Sequence, residues 1–447
     1  MAERETWESR LGFILAAVGS AVGLGNIWGF PFQAGQNGGA AFLVVYLAVV
    51  FLIGFPAILM EFVVGRRSRR NPIDAFRELG HGAWAVAGIV GTFTAFWILS
   101  FYSVIGGWVL RYLGGSVTGA YFGDATRYFN AVATGPEAVA LHAVFMLLVI
   151  GIVAFGVEDG IERSAKVMVP SIVVLLLGLG VWASTLANAG AGYKYYLSPD
   201  VDVIVNNIAS ILPSAVGQAF FTLSLGMGAM IAYSSYLGRD DSLPRDGGII
   251  VIFNTLVGLL AGFVVFPILF NLGIEPGSGG SGTAFKTLGG AFGQIPSGEL
   301  VGVVFFFVLL LAALSSAISL LEVVTSFAVE NTSYSRPTVA VGVGSLVFLL
   351  GVPSALYSDY LMWFNLLAYD LFLPAAVLLL ALFIGWVYPS GAVDELTQGS
   401  GVGATFNTVW LWFVRIVIPA GILLTLVLGV QELLVVGGVL ESAVFLG

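Results

Sequence analysis

The chain has 447 residues, 58% of them hydrophobic and only 10% charged, with a mean hydropathy of +0.98. Soluble proteins carry about 25% charged residues, so a soluble globular chain is excluded. Cysteine is absent and the two histidines, His81 and His142, are isolated, which excludes disulfides and thiolate metal sites and argues against a zinc centre.

A membrane-crossing helix needs about 20 mostly apolar residues. Eleven stretches meet that need, at roughly 11–35, 40–64, 84–119, 137–156, 163–187, 206–236, 247–273, 298–328, 338–352, 360–388 and 405–436. Runs such as Val301–Ala313 and Val173–Val181 lack the alternation of a barrel strand, so the spans are helices. The first span follows Arg4 and Arg10 and contains the small residues Ala16–Ala21, as a signal peptide does. Its apolar pattern runs on beyond them, so it is read as retained.

The basic residues set the orientation. Arg4, Arg10, Arg66, Arg67, Arg69, Arg70, Arg77, Arg163, Lys166, Arg239, Arg245 and Arg336 fall on one side of the bilayer. The other side holds mainly Arg111, Arg127, Lys194 and Lys286. The positive-inside rule then places the N-terminus in the cytoplasm and, after eleven spans, the C-terminus outside. The longest polar stretches are 188–203, 274–297 and 389–404. Segment 274–297 is expected outside, as either a lid or a flexible connection.

Two spans are ill suited to continuous helices. The first contains Gly19-Ser20-Ala21-Val22-Gly23-Leu24-Gly25-Asn26, then Pro31; the sixth contains Gln218-Ala219-Phe220-Phe221-Thr222-Leu223-Ser224-Leu225-Gly226-Met227-Gly228. Each Gly costs about 1 kcal/mol against Ala in a helix. Close packing through small residues is one explanation. The polar neighbours favour another. A break frees backbone carbonyls that must be satisfied within the membrane, and these, with Asn, Thr and Ser side chains, suit sodium. The N-terminus of a half-helix suits a carboxylate. The first and sixth spans each open a five-span half, 11–187 and 206–388, which is the arrangement of a transporter built from inverted repeats, with 405–436 as an extra helix.

Longer motifs carry a resemblance. Arg4-x-x-Trp7-x-x-Arg10-Leu11-Gly12, Ala21-Val22-Gly23-Leu24-Gly25-Asn26-Ile27-Trp28-x-Phe30-Pro31 and Gly217-Gln218-x-Phe220-Phe221-Thr222-Leu223-Ser224-Leu225-Gly226-Met227-Gly228 resemble the neurotransmitter:sodium symporter family. Asn37-Gly38-Gly39, Gly160-Ile161-Glu162-Arg163 and Ser315-Ser316 add to it. The similarity is strongest to its prokaryotic amino-acid transporter branch. It implies an all-α polytopic fold of about eleven spans, broken in the first and sixth.

The resemblance also implies the sites. A first sodium would meet the Ala21 carbonyl, Asn26, Thr222 and Asn254. A second would meet carbonyls of Gly19, Val22 and Ala312 and the hydroxyls of Ser315 and Ser316. The substrate carboxylate would face Leu24, Gly25 and Tyr102, and its amine the carbonyls of Ala21, Phe221 and Ser224. Its side chain would face Ile98, Phe221, Met227, Ser319 and Leu320. Tyr46, Gln218, Thr222 and Asn254 could line a chloride site. A gate on the cytoplasmic side would join Arg4 to Glu330 beside Trp7, Ser235 and Tyr236, and Glu61 would brace the first break. Arg415 is expected to snorkel from the start of the last span. Asp370 has no role in this scheme.

The chain departs from the family at three places. Monoamine members have Asp where Gly23 stands, so the substrate is expected to bring its own carboxylate and to be an amino acid, apolar or aromatic. Gly29 and Asn365 replace the Arg and Asp that usually pair across the outer gate, so outer closure is expected to rest on Phe221, Tyr102 and the lid. Gly258 stands where chloride-site members have Ser.

The expected function is sodium-coupled amino-acid import by alternating access, with two sodium ions. The protein is not expected to be an enzyme, nor to bind nucleic acid or an obligate protein partner. The lipid bilayer is its surroundings, in the plasma membrane of a prokaryote, and the acidic, Lys-poor composition suits a halophilic one. The rival reading is a channel or substrate sensor without coupled transport. A channel needs a continuous polar path, whereas the polar residues here gather at the two breaks.

Overall fold

The computed structural model describes residues 6–277 and 281–439. Those residues are all-helical. The main helices are α1 (Arg10–Ala21), α2 (Gly25–Gln36), α3 (Ala40–Ser68), α4 (Gly82–Ser116), α5 (Pro136–Ala154), α6 (Val157–Ala183) and α7 (Val201–Thr222). They continue with α8 (Ala229–Ser234), α9 (Leu243–Asn271), α10 (Ser281–Phe292), α11 (Gly298–Asn331), α12 (Arg336–Leu356), α13 (Ser358–Val387) and α14 (Ala404–Val436). Ten are long and apolar enough to cross a membrane, or eleven with α1 and α2 taken as one bent span. A helix satisfies its own backbone, which is why hydrocarbon tolerates it.

The spans follow the hydropathy reading to within a few residues. The sixth starts earlier, at Val201, because the Asp200 side chain caps the helix by accepting from Asp202 N. Two polar stretches are partly helical, at Ala189–Leu197 and Pro389–Thr397. Segment 274–297 carries α10, which packs as a lid. Phe285 sits 5.7 Å from Trp28 and 5.8 Å from Trp108, ring centre to ring centre.

Packing through small residues does occur, as where α4 meets α5 and α12. A Cβ built on Gly107 would lie 3.0 Å from His142 N, and one on Gly351 would lie 2.2 Å from the Ser100 carbonyl. Of these three, α5 and α12 are α throughout, and α4 is so after its opening 3₁₀ turn at Gly82–Trp84. Elsewhere the α turn widens to a π turn at Gly25–Gly29, Val50–Gly54, Val157–Glu162, Leu367–Phe372, Phe383–Val387 and Phe413–Val417. Wide turns of this kind mark places where a helix ladder gives way.

The face that carries the N-terminus is tied by ions. Arg10 pairs with Asp246, and Arg66 Nε donates to Glu395 Oε1 at 2.5 Å with both side chains buried. Glu162 is fully buried and accepts from Glu8 N at 2.8 Å and Ser9 Oγ at 2.9 Å, with Lys166 Nζ 2.9 Å away. This carboxylate therefore caps the start of α1 from α6. Glu322 holds Arg336 at 2.6 Å and accepts from the Tyr236 hydroxyl at 2.8 Å.

Candidate substrate and ion site

The first break lies between α1 and α2, whose axes differ by 50°. Val22 leaves helical geometry at φ −81, ψ 96. The second lies between α7 and α8. Ser224, Gly226 and Gly228 there have φ of 53°, 77° and 70°, left-handed values that favour glycine. At Gly226 space forbids a side chain as well, since a built Cβ would stand 2.7 Å from the Leu373 carbonyl. The buried Glu61 steadies this second break by accepting from Gly226 N at 2.8 Å. That corrects the expectation that Glu61 braces the first break.

The residues expected at the first sodium come together. Asn26 Oδ1 accepts from Gly23 N at 3.1 Å and so folds the break over itself. One terminal atom of the Asn254 amide lies 2.7 Å from Asn26 Nδ2 and 3.1 Å from the carbonyls of both Ala21 and Thr222. Its other terminal atom is 3.3 Å from Thr222 Oγ1. Five oxygen-bearing groups from α1, α2, α7 and α9 thus converge in a fully buried spot. Neutral oxygens this close repel one another unless a donor or a cation sits among them.

The residues expected at the second sodium are also adjacent. Ser315 Oγ lies 3.2 Å from the Val22 carbonyl and 3.0 Å from the Ala312 carbonyl. A Cβ on Gly19 would sit 4.0 Å from Ser315 Oγ. Ser316 differs from expectation, because its hydroxyl donates to the Ser20 carbonyl at 2.9 Å.

Beside both groups is a cavity of about 310 Å³ lined by Ala21, Gly25, Ile98, Tyr102, Phe221, Ser224, Met227 and Leu320, all expected, together with Ser20, Gly23, Thr222 and Ser316. Leu24 and Ser319 do not line it. Leu24 borders the space above, its N–H donating to the Tyr102 hydroxyl at 3.2 Å. Ser319 lies behind the wall, where its Oγ accepts from Ser20 Oγ at 2.8 Å and donates to the Ser316 carbonyl at 2.8 Å. At Gly23 a built Cβ would fall 2.3 Å from Ser316 Oγ and 3.1 Å from the Tyr102 hydroxyl, so an acidic side chain has no room there.

Above it, toward the lid, opens a vestibule of about 950 Å³ that Gly29, Gln218, Asn365 and Tyr369 help to line. Tyr102 and Phe221 border both spaces. Gln218 Nε2 donates to the Gly25 carbonyl at 2.8 Å and faces this vestibule. Of the residues expected around chloride, it stands apart from Tyr46, whose hydroxyl meets Thr222 deep in the core. The Gly25 carbonyl also accepts from Phe30 N across the wide turn at the start of α2, so Gln218 shares this acceptor with the backbone.

At the N-terminal face, Trp7 Nε1 donates to the Tyr233 carbonyl at 2.9 Å, and its ring meets Tyr236 edge-on at 6.0 Å. Ser235 donates to the Ala232 carbonyl in its own turn at 2.6 Å. Glu330 accepts from Asn71 Nδ2 at 2.8 Å, and Arg4 lies outside the described residues. Arg415 does not snorkel. Its Nε donates at 2.6 Å to the Gly385 carbonyl, which belongs to the wide turn of α13.

Sequence reasoning missed Ser20 and Tyr369. Ser20 is a polar residue in the last turn before the first break, which was a usable signal. Tyr369 lies at four-residue spacing from Leu361 and Asn365, a stripe that puts all three on one helix face.

The family model described as the sodium:neurotransmitter symporter family matches residues 4–134 and 131–436. The chain belongs to this family. Sodium:neurotransmitter symporter relatives include the sodium-dependent transporter YhdH of Bacillus subtilis, 37% identical over 94% of this chain and 96% of the relative. A sodium-dependent transporter of Haemophilus influenzae is 34% identical over 94% and 97%. The solved structure of MhsT in complex with L-phenylalanine superposes with a TM-score of 0.86 at 40% identity, covering 95% of this chain and 99% of MhsT. As a member of the sodium:neurotransmitter symporter family with ten to eleven apolar spans, the chain is a multi-pass membrane protein of a sodium-dependent transporter class.

Proposed function

We propose that the chain is a sodium-coupled symporter that imports an amino acid, apolar or aromatic, by alternating access. One observation carries the reading: two clusters of neutral oxygens flank a cavity at the junction of both helix breaks. Asn26, Thr222, Asn254 and the Ala21 carbonyl would hold one sodium, and Ser315 with the carbonyls of Val22 and Ala312 the other. The carboxylate would sit at Tyr102 and the start of α2, with its amine at the carbonyls of Ala21, Phe221 and Ser224. At an effective dielectric of about 20, sodium and carboxylate about 2.5 Å apart attract by roughly 6–7 kcal/mol before desolvation. Ion and substrate binding are coupled by that contact.

Several features support an amino acid over an amine. Gly23 leaves no space for an acidic side chain, so the carboxylate must come with the substrate. Ile98, Met227 and Leu320 give the cavity an apolar end, while Ser20 adds a hydroxyl to it. The likeness to MhsT, solved with L-phenylalanine, points the same way. The two five-helix halves would act as inverted repeats, with the N-terminus in the cytoplasm and the C-terminus outside. Chloride would stimulate partially through Tyr46, Thr222 and Asn254.

Reconstituted into proteoliposomes, the protein should accumulate L-phenylalanine or L-leucine only under an inward sodium gradient. Uptake that ignores the gradient, or the absence of uptake for every amino acid tested, refutes coupled transport. Unchanged uptake after gluconate replaces chloride refutes the chloride part alone.

A further inference from the structure

We propose that Tyr369 is a positioning residue of the lid-face gate, forming with Phe221 an aromatic barrier that does the work of the charge pair absent at Gly29 and Asn365. The two rings stack with centres 4.6 Å apart and planes 29° from parallel. Phe221 forms part of the partition between the cavity of about 310 Å³ and the vestibule of about 950 Å³, bordering both with Tyr102 and Gly25, while Tyr369 borders the upper space alone. The ring of Phe221 is held on its other side too. A Cβ on Gly25 would come within 2.7 Å of Phe221 Cδ1, so the ring lies directly on the start of α2. Phe221 is thus clasped between α2 and α13.

Gly29 and Asn365, which face the same vestibule, sit on those same two helices and carry no charge. An ion pair at these positions would tie α2 to α13. Here Tyr369, one turn beyond Asn365 on the same face, makes the tie through Phe221. Its direction is fixed from behind. The wide turn Leu367–Phe372 contains it, and the next residue, Asp370, presses on α14 so closely that a Cβ on Gly429 would lie 2.6 Å from Asp370 Cβ. The helix has no slack to roll Tyr369 away.

The purpose of this barrier rests on the transporter reading, but the barrier itself can be tested without substrate. The chain has no cysteine, so Met227→Cys below the rings and Ile105→Cys above them are clean reporters. Labelling by a membrane-impermeant maleimide is followed in proteoliposomes in sodium. An aromatic stack sets the expected size, so Tyr369→Ala should speed labelling of Met227→Cys by about three- to tenfold. Tyr369→Phe should keep the shielding, and adding Gly29→Arg with Asn365→Asp to Tyr369→Ala should restore it. Ile105→Cys should react alike in all backgrounds. Unchanged labelling of Met227→Cys in both Tyr369→Ala and Tyr369→Leu overturns the proposal, as does an equal rise at Ile105→Cys. Uptake measured on the parent protein reports on the transporter reading separately, because the labelling needs no transported molecule.

Discussion

The two faces of this molecule are closed by different mixtures of contacts. At the N-terminal face, carboxylates and guanidinium or ammonium groups meet directly: Arg10 with Asp246, Arg66 with Glu395, Lys166 with Glu162, Arg336 with Glu322. At the lid face, rings meet rings: Phe221 with Tyr369, Trp28 with Phe285, Phe285 with Tyr112. A buried ion pair is all-or-none, because removing one member strands the other in a poor solvent. A stack of rings loosens by degrees, since each contact contributes little beyond its area. One face should therefore open by breaking discrete ties and the other by the sliding of surfaces.

The sharpest way to break this contrast is at Arg66. Its side chain is inaccessible to solvent and it also donates to the Asp241 carbonyl and to the Glu395 carbonyl. Arg66→Ala should cost about 3–5 kcal/mol, read as a large fall in melting temperature in detergent. A small fall would show that the N-terminal face is not held by its ions. At the lid face, Gly25→Ala should cost about 1–3 kcal/mol through overpacking, because the added methyl drives into Phe221. The measurement is sodium-dependent binding of L-phenylalanine, which should weaken; unchanged binding would mean the ring moves freely.

Gly29→Arg with Asn365→Asp adds an ion pair to the open vestibule, where such pairs contribute about 0–1 kcal/mol. The double variant should transport closer to the parent than either single variant, and equal loss in all three would break the proposed equivalence of rings and charges. The smallest effect is expected at Glu8. Lys166 holds its carboxyl below the ordinary value, first by a hydrogen bond and then by charge. A value lowered in the folded state stabilises above the unfolded pKa and is lost as pH falls through the folded one. Glu8→Gln should therefore lower the melting temperature slightly at neutral pH, leave it unchanged in acid where the parent carboxyl is protonated, and so flatten the acid side of the profile.

Much of this was legible in the sequence. Hydropathy found the spans, because a bilayer permits few alternatives to a helix. Gly-rich polar runs found both breaks, and the family resemblance found eight of the residues that line the cavity, five of them within Ala21–Asn26 and Phe221–Gly228. What stayed hidden was which distant element each group would meet. Glu61 is read easily as a buried carboxylate, but nothing near it in the chain reveals that its partner is Gly226. Arg415 answers a carbonyl freed by a wide turn in another helix, which no local pattern announces. Tyr369 matters through a ring on α7 that lies far from it in sequence.

The wide turns divide the helices into two kinds. Among the described residues they fall in α2, α3, α6, α13 and α14, whereas α4, α5, α9, α11 and α12 run without one. Local opening sets how fast a backbone amide trades its hydrogen for deuterium. A π turn is a place where that opening starts without unwinding the rest of the helix. Exchange followed over hours should therefore draw a map of the molecule, with α4, α5, α11 and α12 dark for longest. The first light should come at short intervals inside otherwise quiet helices, around Gly25–Gly29 and Leu367–Phe372 on either side of Phe221.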